Sequence, residues 1–133
     1  MSTLVMRPME EIRTWGEYKV LFQKSIPDGS EALVKHMVVQ AGQSISYQYH
    51  QHRSETWTII QGRGEFLLEG KLTTVRAGDI VTIPLKARHS LRAIEELHLI
   101  EVQMGKPLTE DDIVRLAVEW KDVSTYIKAR KTQ

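Results

Sequence analysis

The chain has 133 residues, 41% hydrophobic and 26% charged, and its 18 lysines and arginines against 17 acids leave a net charge of +1. That length favours one domain, residues 1–133, and the near-neutral balance leaves no global field to draw nucleic acid or an anionic membrane. Cysteine is absent, which excludes disulfides and thiolate chemistry and leans the chain toward the cytoplasm.

The opening MSTLVMRPMEEIR carries glutamates where a signal peptide needs its apolar run, and no stretch approaches the roughly 18 apolar residues of a membrane span. Residues 1–12 read as a loosely held arm. RTWGEYKVLF, from Arg13 to Phe22, reads as a short strand after a turn, and IPDGS turns at Asp28-Gly29. EALVKHMVVQAG reads as a strand ending at Ala41-Gly42. Beyond it the chain alternates: Ser46, Gln48 and His50 face one way, and Ile45, Tyr47 and Tyr49 the other. The tyrosines of YQY would then pack on another sheet or on a second subunit, which suggests a homodimer.

TWTIIQ, from Thr56 to Gln61, is a strand ending at Gly62. Glu65–Leu68 and Lys71–Val75 flank Glu69-Gly70 as a hairpin. Ile80–Ile83, Ser90–Ala93 and Leu97–Val102 complete a series of short strands with close turns. This predicts an all-β fold, a closed or two-sheet antiparallel barrel with a core of about 13–104. Its expected interior is Trp57, Ile59, Phe66, Leu68, Val81, Ile83, Leu97, Leu99 and Val102. Thr109, with Asp112 three residues later, resembles a helix start. IVRLAVEW would then be a short helix leaning on the barrel, in a closing segment of about 109–130. Lys35, Lys128, Arg130 and Lys131 read as solvated surface or tail.

QYHQHRSETW, residues 48–57, gathers polar groups beside an apolar run. Gln48 and His50 share a strand face, Glu55 follows a tight corner, and His89 arrives from a short loop after Pro84. Imidazole and carboxylate suit zinc, manganese, nickel, cobalt or non-haem iron. Glutamine is a weak neutral donor, and it leans the set toward a redox-silent Lewis acid, with zinc first. His52 rivals Gln48 if the strand runs on past the corner. The bland alternative is a solvated polar hairpin at Arg53-Ser54-Glu55 that holds no ion.

The spacing Gly42, Gln48, His50, Glu55, Gly62, followed by Gly78, Pro84 and His89, resembles the two motifs of the cupins. The resemblance implies a double-stranded β-helix, or jelly-roll barrel, in which those four side chains hold a divalent metal. Lys86 stands where that pattern has glycine, and Ala93 where it has asparagine.

RTWGEY, ISYQYHQHRSETWTIIQGRGEF, IEVQ and EDDIVRL are similar to the C-terminal cupin domain of type II mannose-6-phosphate isomerases. In that family the domain often follows a mannose-1-phosphate guanylyltransferase, of which no sequence is present here. Ala41, Val118 and Lys121 depart from the family pattern. The resemblance implies interconversion of mannose 6-phosphate and fructose 6-phosphate, a sugar-phosphate partner. Arg53 would steady the enediolate or the phosphate, and His52 would carry the proton. Lys86, Arg88 and Arg92 would receive the phosphate, and Trp57 would line the sugar side. The rival expectations are a weakly active or inactive cupin that binds a sugar phosphate or nucleotide sugar, and an iron-dependent cupin oxygenase.

Overall fold

A computed structural model describes residues 10–130. Two six-stranded sheets face each other. The first has the order β1 (Glu10–Arg13), β2 (Gly16–Ser25), β3 (Glu31–Val39), β10 (Leu97–Gly105), β5 (Arg53–Gln61) and β8 (Ile80–Ile83). The second runs β11 (Val114–Ala117), β4 (Tyr47–Tyr49), β9 (His89–Ala93), β6 (Arg63–Leu68), β7 (Lys71–Arg76) and β12 (Ala129–Arg130). This is the all-β double-stranded β-helix expected. No helix among the described residues is long and apolar enough to cross a membrane.

The first sheet shows why the site lies where it does. In β3, β5 and β10 alternate residues are buried, as a strand with one interior face requires. The buried sets are Leu33, Lys35, Met37 and Val39; Arg53, Glu55, Trp57 and Ile59; and Leu97, Leu99, Glu101 and Gln103. Antiparallel register aligns them into rows. Met37, Leu99 and Ile59 form one row, Lys35, Glu101 and Trp57 the next, and Leu33, Gln103 and Glu55 the third. The barrel is therefore apolar at one end, around Val39, Leu97, Leu99 and Ile59, and polar at the other.

Trp57 joins the two halves. Its ring packs edge-on against Phe66 within the main core, while its Nε1 donates to Glu101 Oε2 at 2.9 Å. The turn into β6 rests on Gly62 at φ 92°, where a Cβ would stand 2.0 Å from the Glu96 carbonyl oxygen. The Glu69-Gly70 hairpin tip carries two positive φ angles, 48° and 80°, as a tight two-residue turn needs.

Several expectations change. Val102 is half-buried on the outer face, because the parity of Leu97 and Leu99 places Glu101 and Gln103 inside instead. Lys35, expected at the surface, is 5% exposed. Arg13–Phe22 is two strands joined through Thr14-Trp15; of the arm 1–12, residues 1–9 lie outside the described residues, and Glu10 begins β1.

Ile45 enters the main core while Tyr47 joins a second cluster with Leu67, Leu72 and Val123. The alternation from 45 to 49 is lost in burial, since Ser46 is buried between Ile45 and Tyr47 while Tyr49 is half-buried. Tyr47 is thus covered by its own chain, which removes the tyrosine argument for a second subunit. IVRLAVEW is not a helix: Val114–Ala117 pairs with β4 at the sheet edge. The helix is a single turn further on, α1 (Trp120–Val123), followed by a 3₁₀ turn at Ser124–Tyr126.

Candidate metal centre and cavity

Three expected ligands converge. The ligand atoms of His50, Glu55 and His89 lie within 4.8 Å of one another, and all three residues are buried. Each is positioned by a local device. His50 ends the chain segment leaving β4, and its Nδ1 faces the carbonyl oxygen of Asp112 at 2.7 Å. Glu55 sits on the interior face of β5. His89 opens β9 after a loop that the Lys86 N–H ties to the carbonyl of His50, and its Nδ1 faces the Ala87 carbonyl at 2.9 Å.

A backbone carbonyl can only accept, so both Nδ1 atoms carry the proton and both Nε2 lone pairs turn toward Glu55. His89 Nε2 stands 3.3 Å from Glu55 Oε1, and His50 Nε2 stands 3.8 Å from it. Yet His89 Nε2 and both Glu55 oxygens have no hydrogen-bond partner. Buried acceptors without donors are costly, and a divalent cation at their centre would satisfy all three. The His–Glu–His set therefore fits a metal ion, with nitrogen and oxygen donors suited to a borderline or hard cation.

Burial would raise the Glu55 carboxyl, but its close neighbours His89, Arg53 and His50 outweigh burial and hold it down at about 2. Burial lowers His50 to about 4, with Arg53 adding to the effect and Glu55 opposing it. Both groups are thus in the ligating protonation state at neutral pH. Gln48 pairs with His89 across β4 and β9, and its Oε1 accepts the Ser46 hydroxyl at 2.5 Å.

Arg53 joins the trio directly. Its Nη2 donates to His50 Nε2 at 3.1 Å and its Nε lies 3.2 Å from Glu55 Oε2, while Nη1 is buried without a partner. Arg53, Gln48 and Trp57 line a cavity of about 800 Å³, whose wall also carries Tyr18, Lys35, Glu101, Gln103 and Arg115.

The other expected residues lie elsewhere. His52 is exposed on the corner, with its N–H donating to Asp112 Oδ2, and it does not line the cavity. Neither do Lys86, Arg88 and Arg92. Arg88 lies over the Tyr49 ring and beside Glu69; Arg92 lies over Trp120 and beside Glu65. Burial raises Glu101 to about 8, helped by the charge of Glu55 and opposed by Lys35 and Arg53. The signal for Glu101 and Gln103 was the two-residue period continued past Leu99; Asp112, about 60 residues from its partners in sequence, left no comparable signal.

A family model described as mannose-6-phosphate isomerase C-terminal matches residues 4–118. The chain belongs to that family. It is 38% identical over 114 residues to mannose-1-phosphate guanylyltransferase 2 of Escherichia coli O157:H7, covering 84% of this chain and 23% of that protein. The chain thus spans about a quarter of that relative's length. Among solved structures, Streptomyces PAC13 with uridine matches at a TM-score of 0.68 and 18% identity, over 85% of this chain and 88% of that one. Oxalate decarboxylase OxdC of Bacillus subtilis matches at 0.67 and 16%, over 87% and 34%. These likenesses show the cupin fold.

Proposed function

We propose that the chain interconverts mannose 6-phosphate and fructose 6-phosphate, using one divalent ion held by Gln48, His50, Glu55 and His89, with zinc favoured over manganese, nickel, cobalt or iron. One observation carries this reading: a buried His–Glu–His trio, with His89 Nε2 and both Glu55 oxygens unpaired, touches Arg53, which lines a cavity large enough for a hexose phosphate. The family description supports the choice of substrate.

The reaction takes the C2 proton of the aldose to C1 and the O2 proton to O1 through an enediol, with no net oxidation. A bound divalent ion would supply Lewis-acid stabilisation of the charge that develops on those oxygens. Arg53 offers a second source, since its Nη1 is buried and unpaired and meets negative charge without reorganisation. Trp57 gives the sugar an apolar wall.

The proton carrier must stand within hydrogen-bond reach of both carbons. Glu101 lines the cavity, its oxygens held by Trp57 and Gln103, and we assign it that task. His52 would have to turn inward from the surface to share it.

A homodimer belongs to the same proposal. A second copy would cover the outer face of the first sheet, where Phe22 and Met104 are about half exposed; sedimentation at the mass of one chain would remove it. The isomerase reading is tested by adding mannose 6-phosphate with zinc, manganese or cobalt and following ketose formation. Turnover is expected in the unmodified chain and lost in Glu55→Gln. Binding without turnover under every metal would make the protein a sugar-phosphate binding module.

A further inference from the structure

We infer that the phosphate of the substrate is received by Lys35, with Arg115 on the facing sheet completing the clamp. This rests on the sugar-phosphate reading above and names cations other than Lys86, Arg88 and Arg92.

Lysine is among the residues least often buried, yet Lys35 is 5% exposed on the interior face of β3 and lines the cavity. Its Nζ lies 4.1 Å from the centre of the Tyr18 ring and 3.1 Å from Glu110 Oε1. Glu110 is 61% exposed and belongs to the loop before β11. A pair with one partner in water is weakly held, so an entering dianion displaces Glu110 toward solvent while the lysine stays fixed in the wall.

The distance suits a hexose 6-phosphate. Lys35 faces Glu101, which faces Trp57, so its strand lies two steps from β5, about 10 Å. Glu55 is two residues further along β5, another ~7 Å. An anion at Lys35 is thereby held roughly a sugar's length from the trio, as a substrate with its reactive carbons at C1 and C2 and its phosphate on C6 requires.

Arg115 approaches from the other side. It pairs in register with Gln48, lines the same cavity and has no ion-pair partner among the described residues. A compact ammonium below and a planar guanidinium above would satisfy several oxygens of one phosphomonoester.

Calorimetric titration of the full chain with mannose 6-phosphate, mannose and inorganic phosphate tests the assignment. Lys35→Met is expected to lose about tenfold to a hundredfold in affinity for the two phosphates, and less than about twofold for mannose. Glu110→Gln, at an exposed position, is expected to tighten phosphate binding severalfold. Equal losses for mannose and its phosphate, or unchanged phosphate affinity in Lys35→Met, would overturn the subsite. Should Lys35→Met fail to fold, unchanged or weaker phosphate binding in Glu110→Gln would overturn it alone. Phosphate binding through Lys35 without turnover would remove the isomerase and keep the subsite. Turnover indifferent to Lys35 would do the reverse.

Discussion

Asp112 holds His50 in place from the far side of the sequence. Its carbonyl accepts from Nδ1 of His50 at 2.7 Å, and its carboxylate accepts the N–H groups of Gln51 and His52 at 2.7 and 2.8 Å. The corner that separates His50 from Glu55 is therefore pinned by one residue of the loop that leads into β11. Outer partners of this kind set the tautomer and orientation of a ligating histidine. Asp112→Ala keeps the carbonyl that meets His50 but frees the corner held by the carboxylate, and is expected to weaken metal uptake by about tenfold, the low end of outer-partner effects, while the β-sheet circular dichroism is retained. Competition with a chelator of known affinity measures the change.

Glu101 gives the metal-free protein a pH dependence of defined sign. Its folded-state pKa is raised to about 8 from an ordinary 4.5. The native state then holds a proton that the unfolded chain has released, and stability present below about 4.5 is lost as pH rises through 8. His50, lowered to about 4 from 6.5, acts oppositely: its contribution is complete above 6.5 and lost as pH falls toward 4. Glu101→Gln isolates the first effect. The melting temperature of the unmodified chain, relative to the variant, should fall between pH 5 and 8.5; a constant difference would refute it.

Lys86 stands at φ 65°, a left-handed conformation that costs a residue with a side chain about 1–2 kcal/mol relative to glycine. Its N–H nevertheless bonds the His50 carbonyl at 2.8 Å, so the loop before His89 is built with a glycine geometry but without the glycine. Lys86→Gly keeps that bond and is expected to raise stability by about 1 kcal/mol, less the extra entropy lost on folding. Urea unfolding reads the change as a higher midpoint at constant slope.

The strands were legible where the two-residue period was strong. TWTIIQ placed Trp57 and Ile59 inside, and Glu69-Gly70 marked its hairpin through the positive φ that the turn demands. The convergence of His50, Glu55 and His89 was legible because a tight corner lies between His50 and Glu55 and a short loop precedes His89. Lys35 and Glu101 were missed because residue type outweighed parity: a lysine suggested water, and Val102 looked a better core residue than its neighbours. Val114–Ala117 was read as helix because its pairing with β4 is nonlocal, and local propensity carries no record of an edge strand waiting in β4.

The most direct test of the account is an equilibrium titration of the full chain with zinc, repeated on the His50→Ala/His89→Ala double variant. The account predicts one ion taken up per chain, and loss of that uptake in the double variant with the sheets still folded. Undiminished uptake by the double variant, or no uptake by the unmodified chain, would contradict it.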